Sequence, residues 1–447
     1  MRRYAYAAGM TAKSEKTVRK QRAARPFAPE EYAARLERVR KSIAARGLDG
    51  MLISSPENIY YLTGLSYLGY FAYQILVVPL EGEPSLITRA MEHATIRDKV
   101  PNVRHVKYSD GVAPLPPARE EGGDIALADE GGIRPWSTSL GVAIRNAGPG
   151  AAMFEEPARA TVDAIEESGL AEAKIGIESS SSLFPYGIGS AIIGALPKAT
   201  FEHASNLVTD VRLIQSPSEL KFTRKAAEVT DSMILAGIAA AGAGVPQPDV
   251  MAAIYQTMFH RRGTYPGFVP LVRTTHTLEH EHGSWEDQRL GKKDILFLEM
   301  SGCIERYHAP AGRLCFIGGA AKSAYEMQRV CEESIEAAAS RIRPGVAAED
   351  VYAAWQGVID KAGLEGYRRH HCGYAVGIGF PPSWSGGGVP LGLRAGSKME
   401  LRTGMVFHLM SWLLRTGRGD YFLSDTVVVT ENGCERLTKA SRDVIIR

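Results

Sequence analysis

The run Val211-Arg212-Leu213-Ile214-Gln215-Ser216-Pro217-Ser218-Glu219-Leu220 constrains the chain more than any other, because it fixes where a long helix must begin. Ser216 suits the N-cap, Pro217 the first helical position, where no amide partner is needed, and Glu219 can reach back to close a capping box. A helix is therefore expected from Pro217 to about Gly242, splitting 447 residues into two parts, as expected when roughly 100 to 200 residues make one domain. Before it, Pro29-Glu30-Glu31 opens a pattern in which Tyr32, Leu36, Val39, Ile43 and Leu48 recur near helical spacing, with Gly47 near its end. Gly50 to Ile53, Ile75 to Pro79 and Pro84 to Thr88 read as strands, and Pro157 to Gly169 as a helix. Residues 29–205 are thus expected to be an α/β N-terminal domain. After Pro217, helical patterns from Lys322 to Ile342 and from Ala348 to Gly363 accompany strand-like runs at Asp294 to Met300, Arg313 to Ile317, Met405 to Trp412 and Thr426 to Thr430. Residues 206–447 read as an α+β domain with helices on a mostly antiparallel sheet.

Residues 59–80 carry no charge and exceed the length of about 18 that raises the question of a membrane span. Thr63, Gly64, Ser66, Gly69, Gln74 and five tyrosines break the hydropathy, so the segment reads as two strands around a glycine-containing turn, and no membrane partner is expected. The formal charge of +2 gives no reason to expect nucleic acid. It conceals a basic N-terminal arm, residues 1–28, in which eight Lys and Arg within the first 25 positions face Glu15 alone. A disordered or dimer-embracing tail explains it best. Five cysteines without a C-x-x-C pair suggest neither a disulfide framework nor a zinc ribbon, which fits a cytoplasmic setting.

Several motifs in order carry a resemblance: the Ser-Pro-Ser-Glu-Leu helix start, the strand pair Asp294 to Gly318, the Gly-rich Cys372 to Trp384, and the closing Leu401 to Trp412 and Ser424 to Gly433. Over about residues 30–440 the chain resembles the creatinase/aminopeptidase P/prolidase superfamily, which implies an α/β N-terminal domain and an α+β pita-bread C-terminal catalytic domain. Metallopeptidases of that superfamily hold two metal ions with two aspartates, a histidine and two glutamates. In the aligned motifs those positions fall on Glu299, Pro310, Tyr374, Met410 and Ser424, of which only Glu299 keeps a carboxylate. Divalent metals need several donors converging on one point, so no dinuclear centre and no cofactor are expected. In motif style the chain is closer to the metal-independent ectoine hydrolase/creatinase branch, through Glu299 to Cys303, Arg306-Tyr307-His308, Gly373 to Gly377 with Pro381-Pro382-Ser383-Trp384, and Phe407-His408-Leu409-Met410. Ser383 and Ser385 to Gly388 depart from the acidic loop of ectoine hydrolases.

Glu299 is expected on a buried strand, where an unpaired carboxylate raises its pKa or finds a partner, here Arg306 or Arg313. The resemblance implies that it is nucleophile or base. His282, in the loop His276 to Trp285, matches the general acid/base of creatinase when aligned on Trp285, with His276 and His280 as alternatives. Tyr374 is placed as a donor to developing charge or to a substrate carboxylate. His408 is expected on the same sheet face as Met410, which is expected to fill the vacated cavity. Arg313 would clamp a substrate carboxylate or neutralise Glu299. Trp384 and Tyr70, with its aromatic neighbours, would shape an apolar wall, the tyrosine acting across a homodimer interface. The expected function is metal-independent hydrolysis of a non-peptide carbon–nitrogen bond in a small polar metabolite. The alternatives are a catalytically silent module that binds a peptide or protein, and a metallopeptidase with a displaced site on His276, His280 and His282.

Overall fold

A computed structural model describes residues 25–109, 151–386 and 390–447. The basic arm, Arg25 to Ala28 excepted, lies outside the described residues, as do Gly387 and Gly388.

The described residues fall into two compact units: 25–54, 62–109, 151–179 and 183–204 form the first, and 55–61, 180–182, 205–386 and 390–447 the second. In the first, helix α1 (Pro29–Ala45) starts on Pro29 with Glu30 and Glu31 in its opening turn, where negative charge complements the helix dipole, and buries Tyr32, Val39 and Ile43. A six-stranded mixed sheet follows, built from β1 (Gly50–Ile53), β2 (Ile75–Pro79), β3 (Ser85–Arg89), β4 (Arg104–Tyr108), β5 (Lys174–Ile177) and β6 (Thr200–His203) in the order β4-β3-β2-β1-β5-β6. Leu52, Ile75, Val77, Ile87 and Ile175 of the sheet share a core with Ala164, Ile165, Ile188 and Ile192 of the helices Ala151–Glu167 and Tyr186–Ala195.

Residues 59–80 correct one expectation. Their first part is a helix, Pro56–Thr63, followed by a 3-10 turn at Gly69–Phe71, and only Ile75–Pro79 is a strand. Pro56 opens the helix, Gly64 follows it with φ +78°, and Tyr60 and Tyr61 are fully buried. Packing of those rings outweighs their β propensity. Among the described residues no helix is long and apolar enough to cross a membrane.

In the second unit the long helix runs Pro217–Ala240 with both halves of the capping box formed: Glu219 N donates to Ser216 Oγ at 3.3 Å, and Ser216 N to Glu219 Oε2 at 2.8 Å. Strands β7 (Leu271–Arg273), β8 (Ile295–Met300), β11 (Ala311–Phe316), β12 (Gly373–Ala375), β13 (Gly392–Leu393), β14 (Val406–Leu413) and β15 (Tyr421–Val429) lie in the order β13-β12-β14-β15-β11-β8-β7, all antiparallel. The short pair β9 (Cys303–Ile304) and β10 (Tyr307–His308) forms the turn between β8 and β11. Val272, Leu296, Leu298, Met300 and Ala311 pack with Met233, Ile234 and Ile238 of the long helix. Helices Lys322–Arg341 and Ala348–Lys361 contribute to a second core with Leu409, Leu413 and Leu423. This is the pita-bread arrangement expected from the motifs.

Candidate active site

Successive side chains of a strand point to opposite faces, so those that alternate with the packed Leu296, Leu298 and Met300 share the other face. On β8 these are Ile295, Phe297 and Glu299. Ladder pairing carries that face across the sheet: Glu299 lies opposite Leu271 on β7 and Gly312 on β11, Gly312 opposite Ser424, and Ser424 opposite Met410. Two residues from Met410, His408 lies opposite Thr426 and Tyr374. Glu299, Ser424, Met410, His408 and Tyr374 therefore belong to one surface. Gly312 belongs to it as a glycine, since a Cβ there would stand 2.2 Å from the Phe422 ring.

Glu299 is 3% exposed and, among the described residues, accepts no hydrogen bond; its nearest cationic or imidazole nitrogen is His408 Nε2, at 3.8 Å. Burial pushes its carboxyl up to about 7, with Arg273 opposing and Glu281 adding to the rise. His408 is fully buried and pushed down to about 3 by burial, the charges of His371 and Arg313 acting in the same direction, so its imidazole is neutral. Its Nε2 is 2.8 Å from Ser424 Oγ and its Nδ1 3.1 Å from the Tyr374 hydroxyl. That hydroxyl accepts from Trp384 Nε1 at 2.9 Å, and burial together with the Glu299 charge raises its pKa, which keeps it protonated. A neutral chain Ser424–His408–Tyr374–Trp384 thus borders a carboxyl poised between its two forms near neutral pH. Such a carboxyl can take up or release a proton, and the phenol can donate to developing charge.

His282 is exposed and stacks on Phe268 with centroids 6.2 Å apart; Phe268 meets Trp384 edge-on at 4.8 Å. It is thereby tied to the cluster through two rings. His276 and His280 are exposed as well.

Arg313 requires correction. Gly312, not Arg313, faces Glu299's side of the sheet, and Arg313 lies opposite Leu298 on the other face. There it pairs with Asp425 at 2.8 Å and donates to the carbonyls of Gly312, Ser424, Ala440 and Ser441, so no donor group is left for a substrate. Arg306 is equally occupied, holding the carbonyls of Gly379 and Tyr265. The cation that acts on Glu299 is Arg273, fully buried on β7 and 3.8 Å above the Phe297 ring. Sequence reading missed it, although a charge inside Leu271-Val272-Arg273 was a visible signal. Tyr70 belongs to the first unit, half-buried in the 3-10 turn, whereas the cluster is built from the second unit alone.

The side chains do not fit a dinuclear metal centre at the positions used by the peptidases. Tyr374, Met410 and Ser424 stand there with Glu299, and Pro310 offers only a carbonyl, which accepts from Thr426 Oγ1 at 2.7 Å. Among the described residues no group of three or more His, Cys, Asp or Glu is arranged to hold a metal ion, so His276, His280 and His282 do not form a displaced site.

Residues 35–214 match the Creatinase/Prolidase N-terminal domain, and residues 221–431 match metallopeptidase family M24. The chain is 27% identical over 433 residues to ectoine hydrolase of Halomonas elongata, covering 94% of this chain and 98% of that protein. It is 24% identical over 271 residues to a Xaa-Pro dipeptidase of Pyrococcus horikoshii, covering 61% and 74%. The crystal structure of a prolidase from Thermococcus sibiricus superposes with a TM-score of 0.75 at 20% identity, over 93% of this chain and 99% of that one, which speaks for the fold alone. With both of its domains matched, and with hydrolases as its relatives, the chain belongs to the M24 creatinase/prolidase family of hydrolases.

Proposed function

We propose that this chain is a metal-independent hydrolase of a non-peptide carbon–nitrogen bond in a small polar metabolite, with a cyclic amidine such as ectoine as the leading substrate class. The observation that carries the reading is Glu299: a buried carboxyl without a hydrogen bond among the described residues, held near 7, on the face where the peptidases gather metal. Full-length similarity to ectoine hydrolase supports the substrate class.

Acting as base, Glu299 takes a proton from water while the water oxygen bonds to the electrophilic carbon. The carbon–nitrogen bond then breaks, and the nitrogen leaves with a proton delivered by His282. Acting as nucleophile, Glu299 bonds to that carbon itself, the nitrogen leaves with a proton from His282, and water attacks the Glu299 carboxyl carbon of the resulting acyl intermediate, which frees the product and restores the carboxylate. In both routes the Tyr374 phenol donates to the oxygen or nitrogen that gains charge. A homodimer in the cytoplasm, with Tyr70 contributing from a second copy, belongs to the same proposal; Leu68 and Phe71 beside it are 65% and 70% exposed.

The test is turnover of ectoine, hydroxyectoine, creatine, guanidino acids and Xaa-Pro dipeptides by protein shown to be metal-free, with and without chelator. Chelator-resistant cleavage of a non-peptide substrate is expected. Activity only with added metal, or silence on the whole panel, would overturn the reading. Single turnover in 18O water separates the routes, since only the nucleophile leaves label in the Glu299 carboxylate.

A further inference from the structure

The loop that carries His282 buries Thr277 and Leu278, but its tip does not share that burial: Glu279, His280, Glu281 and His282 are all exposed. A catalytic group on such a loop needs other anchors, because exposed segments with few apolar contacts open easily. Beside an exposed ion pair between Arg415 and Glu279, two arginines anchor the tip nearer His282. Arg273 Nη1 donates to the carbonyls of Leu278 at 3.2 Å and His280 at 2.7 Å, and both terminal nitrogens of Arg369 donate to Glu281 Oε1 at 3.1 Å. Both guanidiniums lie over the ring of Trp412, at 5.2 and 5.0 Å from its centroid. The backbone on one side and the side chain immediately before His282 are thus tied to a single indole on β14. Within the loop, His280 N donates to Thr277 O and Gly283 N to His280 O, so the turn is closed where the arginines grip it.

We propose that Arg273 and Arg369, both stacked on Trp412, clamp the loop and hold His282 in its catalytic place. They are positioning residues, and the inference rests on the reading of His282 as proton shuttle. Arg273 has a second consequence. Its charge lies on the same face as Glu299, so a single side chain relates the carboxyl to the loop that must deliver the proton.

The test uses full-length Arg369→Met, Arg369→Lys and Arg273→Met proteins. Hydrogen exchange in Arg369→Met is expected to speed up about tenfold at the His280 and Gly283 amides while the β8 and β11 amides stay protected. Its kcat is expected to fall about tenfold with KM changed less than about twofold, the pattern of lost placement rather than lost binding. Arg369→Lys should recover part of both quantities together, since lysine keeps the charge but not the planar fork. Arg273→Met is expected to show the larger loss; because it empties a buried position and could fail to fold, the Arg369 pair carries the decision. Unchanged exchange would overturn the clamp, and faster exchange with unchanged kcat would overturn its role in placing His282. Exchange is read without substrate, so a wild type silent on every substrate would sink the proposed function while exchange still decided the clamp.

Discussion

Glu299 and Asp425 are two buried carboxylates of one sheet with opposite surroundings. Asp425 follows Ser424, whose ladder partner Gly312 is also the partner of Glu299, yet that single step along β15 turns it to the other face. There it accepts from Arg313 at 2.8 Å, Arg442 at 2.8 Å and Thr438 at 2.9 Å. Burial acts to raise its pKa, but the charges of Arg313 and Arg442 prevail and hold it below the usual carboxylate range. Glu299, almost as deeply buried, receives no such bonds among the described residues and sits near 7. Burial alone therefore does not set the protonation of a carboxyl: Asp425, paired with arginines, is held low, and Glu299, without such partners among the described residues, is pushed up.

The contrast is sharpest in stability. Asp425→Asn strips the countercharge from a fully buried Arg313 and is expected to cost about 3 to 5 kcal/mol, read as a lower denaturant midpoint. The Asp425 contribution is fully present above the ordinary carboxylate range and disappears as pH falls through its lowered pKa. Glu299→Gln should do the reverse. Between about 4.5 and 7 the unfolded carboxyl has lost its proton while the folded one keeps it, so wild-type stability declines as pH rises through that window. Glutamine imitates the protonated form and escapes this decline. The variant is expected to be more stable than wild type by about 3 kcal/mol at pH 8, the difference vanishing near pH 4. Equal stability at both pH values would erase the distinction between the two sites.

Smaller effects sharpen the picture. Tyr374→Phe removes the hydroxyl that links Trp384 to His408 and is expected to lower turnover about thirtyfold, or about 2 kcal/mol, with the fold retained. Ser216→Ala, within the helix cap of the same unit, should cost about 1 kcal/mol of stability and leave the pH profile of turnover unchanged. A change in that profile would show that the cluster is sensitive to general loosening rather than to its own groups.

The helix at Pro217 was legible because a cap is a local device of four residues. The strands with Glu299 and His408 were legible from their apolar runs and a period of two, whereas the short strand Gly373–Ala375 that carries Tyr374 was read only as a glycine-rich motif. Arg313 was misjudged for the same reason in reverse: its face follows from the register of β8 against β11, which no single segment encodes. Residues 59–63 read as strand because tyrosines favour strands, and only tertiary packing makes them part of the helix Pro56–Thr63. Arg273 and Phe268 escaped notice because each acts through stacking on rings distant in sequence.

The most direct test compares wild-type and Glu299→Gln proteins, both metal-free and in chelator, on whichever substrate the panel yields. The account predicts a loss of turnover of at least about a thousandfold, with a melting temperature at pH 8 no lower than that of wild type. Turnover at the wild-type rate by the glutamine variant would contradict it.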